Sequence, residues 1–167
     1  MDNRYPIDIS KAIANNAYMI FQNFPEISYY IKSIQIPSIT TGSTRIGLPQ
    51  HHAWNIPSVQ SDVDDITVMW YLDENYITYF RILKWMLDCR KATDVSSVMT
   101  QATITITNNA KQPLININLF DVWPSNVGTL DFDTYNSDPI TPFVTLKSHG
   151  FSWTYLDKSL DIYNGTA

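Results

Sequence analysis

The sequence predicts a mainly β fold of the α+β class, a β-sandwich or partly open antiparallel barrel of about six or seven strands with one packed α-helix. Apolar and polar residues alternate over 66–72, 101–107 and 115–119, and a period of two indicates a half-buried strand. One stretch, Asn75–Arg90, has apolar residues at helical spacing instead. With 167 residues, 44% of them apolar, the chain is long enough to bury a core, and we expect a single domain over 1–167.

The first part of the chain predicts two strands and then a long loop. A short helix over Ile7–Asn15 lies in an N-terminal arm, 1–15. Asn16–Phe24 and Ile27–Ile36 are rich in Tyr, Ile and Phe, and we expect them to form a hairpin around a central proline. The next segment, Thr40–Val63, contains glycines and prolines without a clear period, and irregular loops of that length are usually functional or disordered.

The predicted strand Asp65–Leu72 leads directly into the predicted helix. Asp73 is a good N-cap for that helix, and Glu74 suits its first turn. The helical spacing predicts that its buried face consists of Tyr76, Tyr79 or Phe80, Leu83, and Met86 or Leu87.

The rest of the chain predicts a β-meander. Gln101–Thr107 is an alternating strand, and Leu114–Tyr155 contains the next strand, a turn at Trp123–Gly128, and a short strand in which Leu130 and Phe132 alternate with Asp131 and Asp133. A long strand from Ile140 to Tyr155 follows, and we expect it to bend near His149-Gly150. The tail, 156–167, is expected to be loose.

The composition disfavours DNA-binding, disulfide-stabilised and membrane-spanning proteins. The net charge is −5, with 11 Lys and Arg against 16 Asp and Glu, so tight binding to DNA phosphates, which needs clustered cations, is disfavoured. A single cysteine excludes an internal disulfide framework. No apolar run approaches the roughly 20 residues that span a bilayer, and no signal peptide pattern is present, so we expect a soluble protein without membrane insertion.

The His, Asp and Cys residues, types that often form catalytic or metal sites in other proteins, form no convincing site in this sequence. Adjacent histidines such as His51 and His52 point in different directions, which makes them a poor chelate. Asp131, Asp133 and Asp138 fit the solvent face of a strand and a turn better than a pair of catalytic carboxylates. Cys89 has no local histidine and is better explained as a packed thiol. We therefore predict a protein that is not an enzyme, with no catalytic, metal or cofactor site.

Three segments resemble the tail tube protein family of T-even-like contractile-tailed bacteriophages. The segment WPSNVGTLDFD, followed by TPFVTLKSHGFSW, has the Trp-Pro-x-Asn-x-Gly turn of that family in Trp123, Pro124, Asn126 and Gly128. The run IKSIQIPSI before the long loop is the second similarity. The third is a strand that ends in Asp-Glu and precedes one helix that carries Trp85. Together they cover about Asn16–Tyr155.

The resemblance implies a structural virion protein that assembles into stacked hexameric rings. The stack would be the conduit for DNA ejection, assembled in the host cytoplasm and located in the phage tail. The implied partners are further copies of the chain, a tail sheath protein, baseplate hub or tube-initiator proteins, and the tape-measure protein and genomic DNA, which pass through the lumen without specific binding.

Two sets of residues receive roles in that assembly. We expect Asp131 and Asp133 to face the lumen, where negative charge would repel DNA phosphates. We expect the loop residues Arg45, Trp54 and Pro57 to contact the neighbouring ring. Two alternatives remain: a baseplate or tube-initiator protein or the tube of a phage-like injection particle, and, more distantly, a carbohydrate-binding β-sandwich, which would need an exposed planar row of aromatic residues.

Overall fold

The computed structural model describes residues 14–36, 38–46, 54–135, 138–156 and 165–166. Within them, antiparallel strands and one α-helix form the mainly β fold that the sequence predicts. The strands are β1 (Ala17–Phe21), β2 (Ile31–Gln35), β3 (Ile39–Ile46), β4 (Trp54–Val63), β5 (Ile66–Trp70), β6 (Thr100–Thr107), β7 (Pro113–Val127), β8 (Phe143–Lys147), β9 (Gly150–Tyr155) and β10 (Gly165–Thr166), and the helix is α1 (Ile77–Lys91).

Eight of the strands belong to one sheet with the order β1-β6-β7-β8-β5-β2, in which β9 also pairs with β7 and carries β10 on its other side. The strands at the two ends of this path, β1 and β2, line the same cavity, so the sheet curls back toward itself. This is the partly open barrel that the sequence predicts. The remaining two strands, β3 and β4, form a separate two-stranded sheet.

The strand β7 belongs to both halves of the barrel. Its first part pairs with β6 and β9, and its last part, from Trp123 to Val127, pairs with β8. Between the two parts lies Asp121, whose φ of 51° is left-handed, a conformation that Asp tolerates better than most residues. The prediction that this strand ends in a turn at Trp123–Gly128 is therefore wrong, because the ladder continues through those residues.

Pro124 does not break the strand, because a change of register with β8 follows it. Proline is accepted at such bulges, and the Ser125 hydroxyl donates a hydrogen bond of 3.1 Å to the Thr145 carbonyl beside it. The short acidic strand predicted at Leu130–Asp133 is also absent, since those residues lie in the loop between β7 and β8.

The long C-terminal strand is predicted correctly in outline. It begins at Phe143 rather than Ile140 and breaks at Ser148-His149 into β8 and β9. Both pieces pair with β7, and the amide of His149 donates to the Phe120 carbonyl at 3.0 Å, so the two paired strands turn the corner together. The described end of the predicted loose tail, Gly165–Thr166, pairs with β9 instead.

The predicted N-terminal hairpin is wrong. Pro25–Tyr30 forms a 3-10 helix between β1 and β2, and these two strands pair with β6 and β5, not with each other. The helix is held by Ile27, which is buried and whose carbonyl accepts a 3.0 Å hydrogen bond from the Trp70 indole. The predicted helix over Ile7–Asn15 lies almost wholly outside the described residues.

The core lies inside the bent sheet, and α1 packs against β7 beside it. Ile66, Val68 and Trp70 of β5 are fully buried, as their alternation predicts. The Phe21 ring contacts Trp70 at 6.3 Å and Trp85 of α1 at 6.1 Å between centroids, which ties the helix to both halves of the sheet.

The helix α1 buries a different face from the predicted one. Its buried residues are Thr78, Ile82 and Trp85, at spacings of four and three. The predicted face was chosen from apolar residues at helical spacing, but Phe80 is 59% exposed and Leu87 is exposed as well. The helix therefore has a second apolar face, which points away from the core.

The Asp73 carboxylate caps the first amides of α1, as predicted, but the N-cap position itself is occupied by Tyr76, whose φ of 57° is left-handed. The Asp73 carboxylate accepts 3.0 Å hydrogen bonds from the amides of both Ile77 and Thr78. Desolvation opposes ionisation of Asp73, but the hydrogen bonds from Thr78 and Ile77 outweigh it and hold its pKa below the ordinary value of 3.8.

We predict that Asp73→Ala lowers the free energy of unfolding by about 1 kcal/mol, because two helix amides lose their acceptor. Since the folded pKa is the lower one, the wild-type advantage is fully present above pH 3.8 and disappears as the pH falls through the folded pKa. Urea titrations of both proteins at several pH values measure this. Glu74→Ala, which removes an exposed neighbouring carboxylate, is the control and should cost much less.

Candidate functional site

Two sheet edges are open and face a common groove. Among the described strands, β1 pairs only with β6 and β2 only with β5. A cavity of about 610 Å³ lies between them, lined by Met19, Ile31 and Lys32 among others. One amide at the edge of β1 already has an acceptor in the same chain: the Phe21 amide donates to the Ser28 hydroxyl at 3.3 Å. No other described strand pairs along these two edges, so their remaining outward amides are open to a further strand.

The segment Thr40–Val63, predicted as an irregular loop, is largely a β-hairpin. Its strands pair from Ile39 with Val63 to Ile46 with Trp54, and a bulge near Pro57 accommodates the proline. Its base is closed by a 3.0 Å hydrogen bond from the Asp64 amide to the Ser38 carbonyl. The β-branched run ITTGSTRI was the sequence signal for this strand, and the glycines and prolines hid it.

The hairpin brings the three predicted contact residues together. Arg45 pairs with Asn55, next to the pairing of Ile46 with Trp54, and Pro57 lies opposite Ser43. The side chains of Arg45 and Pro57 are exposed. The inter-ring role of Arg45, Trp54 and Pro57 stays a prediction. His51 and His52 lie outside the described residues.

The four residues of the predicted Trp-Pro turn lie at the end of β7 along β8. Pro124 is fully buried opposite Leu146, Trp123 is half-buried opposite Lys147, and Asn126 is exposed opposite Thr145. The Gly128 amide donates to the Phe143 carbonyl at 2.8 Å, and a Cβ at this position would lie 2.9 Å from the same oxygen. The glycine is therefore required by close approach to β8 rather than by a turn.

The residues after Gly128 form an exposed acidic and aromatic loop, 130–135. Asp131 and Asp133 are exposed, and the Asp133 carboxylate accepts a 2.9 Å hydrogen bond from the Tyr135 amide. Phe132 is 68% exposed and Tyr135 is 97% exposed. The Phe132 ring rests on Tyr76 just before α1, at 6.0 Å between centroids. The lumen-facing role of Asp131 and Asp133 stays a prediction, although the strand on which it was based is absent.

The second apolar face of α1 borders a cleft of about 450 Å³. The cleft is lined by Met86, Leu87, Cys89, Arg90, Val95, Met99, Trp123 and Ser125. Burial, together with the charge of Asp88, raises the pKa of the Cys89 thiol, which makes it a poor nucleophile at neutral pH. The cleft was not predicted from the sequence, although apolar residues on more than one side of the predicted helix were a signal for it.

The exposed face of the β1-β6-β7-β9 half of the barrel combines polar side chains with Tyr18, Ile20 and Phe120, and it carries no charged residue among those described. Thr103 and Thr105 of β6 donate side-chain hydrogen bonds to Asn118 and Asn116 of β7, at 3.0 and 2.9 Å. Much of the hydrogen-bonding capacity of this face is thus used within the sheet. Such a surface offers no cations for a nucleic acid backbone.

The described residues contain no group of His, Cys, Asp and Glu that could hold a metal ion. His149, in the break between β8 and β9, is exposed. No described helix is both long enough and apolar enough to cross a bilayer.

No family model and no curated protein matches the sequence, but many solved structures match the fold. One is a chain of the sheath–tube complex of PVC, an extracellular contractile injection system, with 14% identity, a TM-score of 0.70, and coverage of 90% of this chain and 95% of the other. Another comes from the tube-terminating cap of the anti-feeding prophage, with 14% identity, a TM-score of 0.70, and coverage of 90% and 96%.

The chain has the tail-tube fold. Hcp1 of Salmonella typhimurium is a more distant match with the same fold, at 11% identity, a TM-score of 0.56, and coverage of 93% of both chains. The sequence resembles tail tube proteins, and this resemblance is supported by structure neighbours from contractile injection systems and phage-like particles. Because the identities are low, these tail-tube neighbours establish the fold and not the role of individual residues.

We predict that Gly128→Ala destabilises the fold by about 1–3 kcal/mol, because the new methyl group would overlap the Phe143 carbonyl and ring. Thermal unfolding followed by circular dichroism measures the loss. Thr129→Ala, at the exposed next position, is the matched control and should stay within about 0.5 kcal/mol of wild type. Equal stability of both variants would contradict the close approach of Gly128 to β8.

Proposed function

We propose that this protein is a structural subunit of the tube of a contractile injection particle or contractile phage tail. In this proposal, copies of the chain form closed, hexameric rings that stack into a conduit surrounded by a sheath and ended by a baseplate. A phage tube would carry genomic DNA and a tape-measure protein through the lumen. The subunit has a mechanical role and no catalytic one.

The observation that carries the proposal is the fold match over 88–93% of the chain with several neighbours, including tube, cap and Hcp proteins. The open edges of β1 and β2 support it, because edges that natural monomers usually block are here left available for pairing. The hairpin β3–β4 supports it too. A two-stranded sheet by itself is marginally stable in water, so contact with a neighbouring subunit would explain why this one is retained.

A second candidate role is a specialised ring at one end of the tube. Three of the matched structures support it: a tube-terminating cap, a sheath/tube terminator and a baseplate, with TM-scores of 0.70, 0.66 and 0.61. The terminator and the repeating tube protein share one fold, so the two roles differ in whether rings of this chain stack on each other.

Negative-stain electron microscopy of the purified protein at low and high concentration tests both roles. Long tubes with a central pore would support the repeating tube protein, and isolated rings a specialised ring. Small particles without a pore at every concentration would overturn the proposal.

We predict that the hairpin is needed for stacking but not for folding. Residues 40–62 are replaced by Asn-Gly, which can join Ile39 to Val63 because their Cα atoms are paired in the hairpin. The main sheet does not include β3 and β4, so the variant should keep its melting temperature within a few degrees yet form no tubes in electron microscopy. Loss of folding, or tubes of normal length, would contradict the prediction.

The exposed carboxylates of Asp131 and Asp133 have a predicted place on the lumen wall. There, they would repel a polyanion and keep it from adhering during passage. This placement and the subunit contact proposed below exclude each other. If the carboxylates line the lumen, replacing both by Asn should leave ring and tube formation in electron microscopy unchanged, whereas a role in the subunit contact requires that assembly weakens.

A further inference from the structure

The cleft beside α1 is an apolar surface with a basic rim. Its floor and walls are apolar, from Met86, Leu87, Val95 and Trp123, and Arg90 is part of its lining. At about 450 Å³, it has room for a large apolar side chain from outside.

The rim is basic because α1 carries several of the few Lys and Arg residues of this acidic chain. Four of the 11 Lys and Arg residues lie between positions 81 and 91. Arg81 forms an ion pair with Glu26, whereas Lys84, Arg90 and Lys91 are exposed and form no ion pair with any other residue that the structure describes. Lys84 and Lys91 stand three residues before and four residues after Leu87, so all three lie on one side of the helix. The local acids are Asp88 and Asp94, which leaves the rim with a positive excess.

The same chain carries a segment with the opposite properties. The loop 130–135 reads Leu-Asp-Phe-Asp-Thr-Tyr, with two exposed carboxylates on either side of an exposed phenylalanine. Phe132 leaves most of its ring in solvent, although its side chain is among the most costly to expose. Large apolar residues exposed beside charges are typical of contact sites.

The loop and the cleft cannot meet within one molecule. Phe132 lies against Tyr76, just before the start of α1, whereas the cleft is formed by Met86 to Arg90 near its end. At 1.5 Å per residue, these positions are about 15–20 Å apart along the helix. A loop that fits the cleft must therefore come from another copy.

We propose that loop 130–135 of one copy docks in the α1 cleft of the next, with Phe132 in the apolar cleft and Asp131 and Asp133 against Arg90 and Lys91. The contact joins two different surfaces, so each bound copy still offers a free loop and a free cleft. Heterologous contacts of this kind close into rings or continue as filaments. The proposal rests on the proposed function and specifies the residues of one subunit contact.

The single cysteine permits a direct test by disulfide trapping. Phe132→Cys places a second thiol at the loop position that should enter the cleft beside Cys89 of the next copy. Oxidation with copper phenanthroline is done at mildly alkaline pH, because the raised pKa of Cys89 limits its thiolate at neutral pH. We expect a ladder of covalent dimers and higher multimers on a non-reducing gel.

Three control variants define the result. Phe132→Cys combined with Cys89→Ser should lose the ladder, and Tyr29→Cys, at an aromatic residue 86% exposed elsewhere, should show only background dimers. Leu130→Cys keeps Phe132 in place and should also crosslink to Cys89, which covers the case in which loss of the ring weakens docking. Crosslinking of both loop variants at or below the Tyr29→Cys background overturns the proposal.

Charge exchange provides an independent test. Asp131→Lys/Asp133→Lys and Arg90→Glu/Lys91→Glu should each lower the association constant about tenfold or more, since each juxtaposes like charges at the contact. An equimolar mixture should recover assembly, because each loop then meets a cleft of opposite charge on the other variant. Sedimentation velocity measures association, and Glu74→Lys is the control for a reversed charge outside the contact.

The outcomes separate this contact from the proposed function. Rings or tubes that form equally in all charge variants would leave the tube assignment intact and overturn the contact; they would favour the lumen placement of Asp131 and Asp133. Recovery only in the mixture supports the contact and rules out the lumen placement. A wild-type chain that does not assemble, together with loop variants that do not crosslink above background, overturns both proposals.

Discussion

The fold depends on one continuous strand that serves two halves of the barrel. Because β7 pairs first with β6 and β9 and then with β8, its bend sets the angle between the halves. Asp121 adopts a left-handed conformation at the bend, and Ser148-His149 breaks the paired strand at the same level. Two strands that bend together keep their ladder, whereas a bend in one alone would leave unpaired amides in a buried sheet. The core residues on β5 and α1 fill the angle that this corner creates.

The sequence predicts the features that depend on local patterns, and it does not predict those that depend on pairing between distant strands. Alternation identified β5 and β6, and the position of Asp73 before the helix predicted a capping carboxylate, which accepts hydrogen bonds from two helical amides. The corner could not be predicted, because Trp-Pro and Asn-x-Gly are turn signals locally, while pairing with β8 makes the segment a strand. The N-terminal hairpin failed for a related reason: adjacent strands usually pair, but here Pro25–Tyr30 coils into a helix that delivers β2 to the opposite edge.

The candidate surfaces were harder to predict than the fold. Helical spacing assigned Tyr76, Tyr79 or Phe80, Leu83, and Met86 or Leu87 to the buried face of α1, but the structure buries Thr78, Ile82 and Trp85. The Trp85 ring contacts Phe21 and Phe24, so it is this face of the helix that meets the core. An amphipathic pattern identifies which residues prefer burial, and it does not distinguish burial in the same chain from burial against another.

The exposed apolar surfaces of the chain are explained if they are buried against another copy rather than within the same chain. Four features do not help to stabilise a monomer: the open groove between β1 and β2, the hairpin outside the main sheet, the apolar cleft on α1 and the exposed Phe132. Each of these would be a liability for aggregation in a free protein, since exposed edges and apolar patches associate without control. In a ring, by contrast, complementary surfaces on different sides of one subunit are consumed in pairs. The closed assembly then has no unpaired copy of either surface around its circumference, which is how a heterologous contact can be both strong and self-limiting.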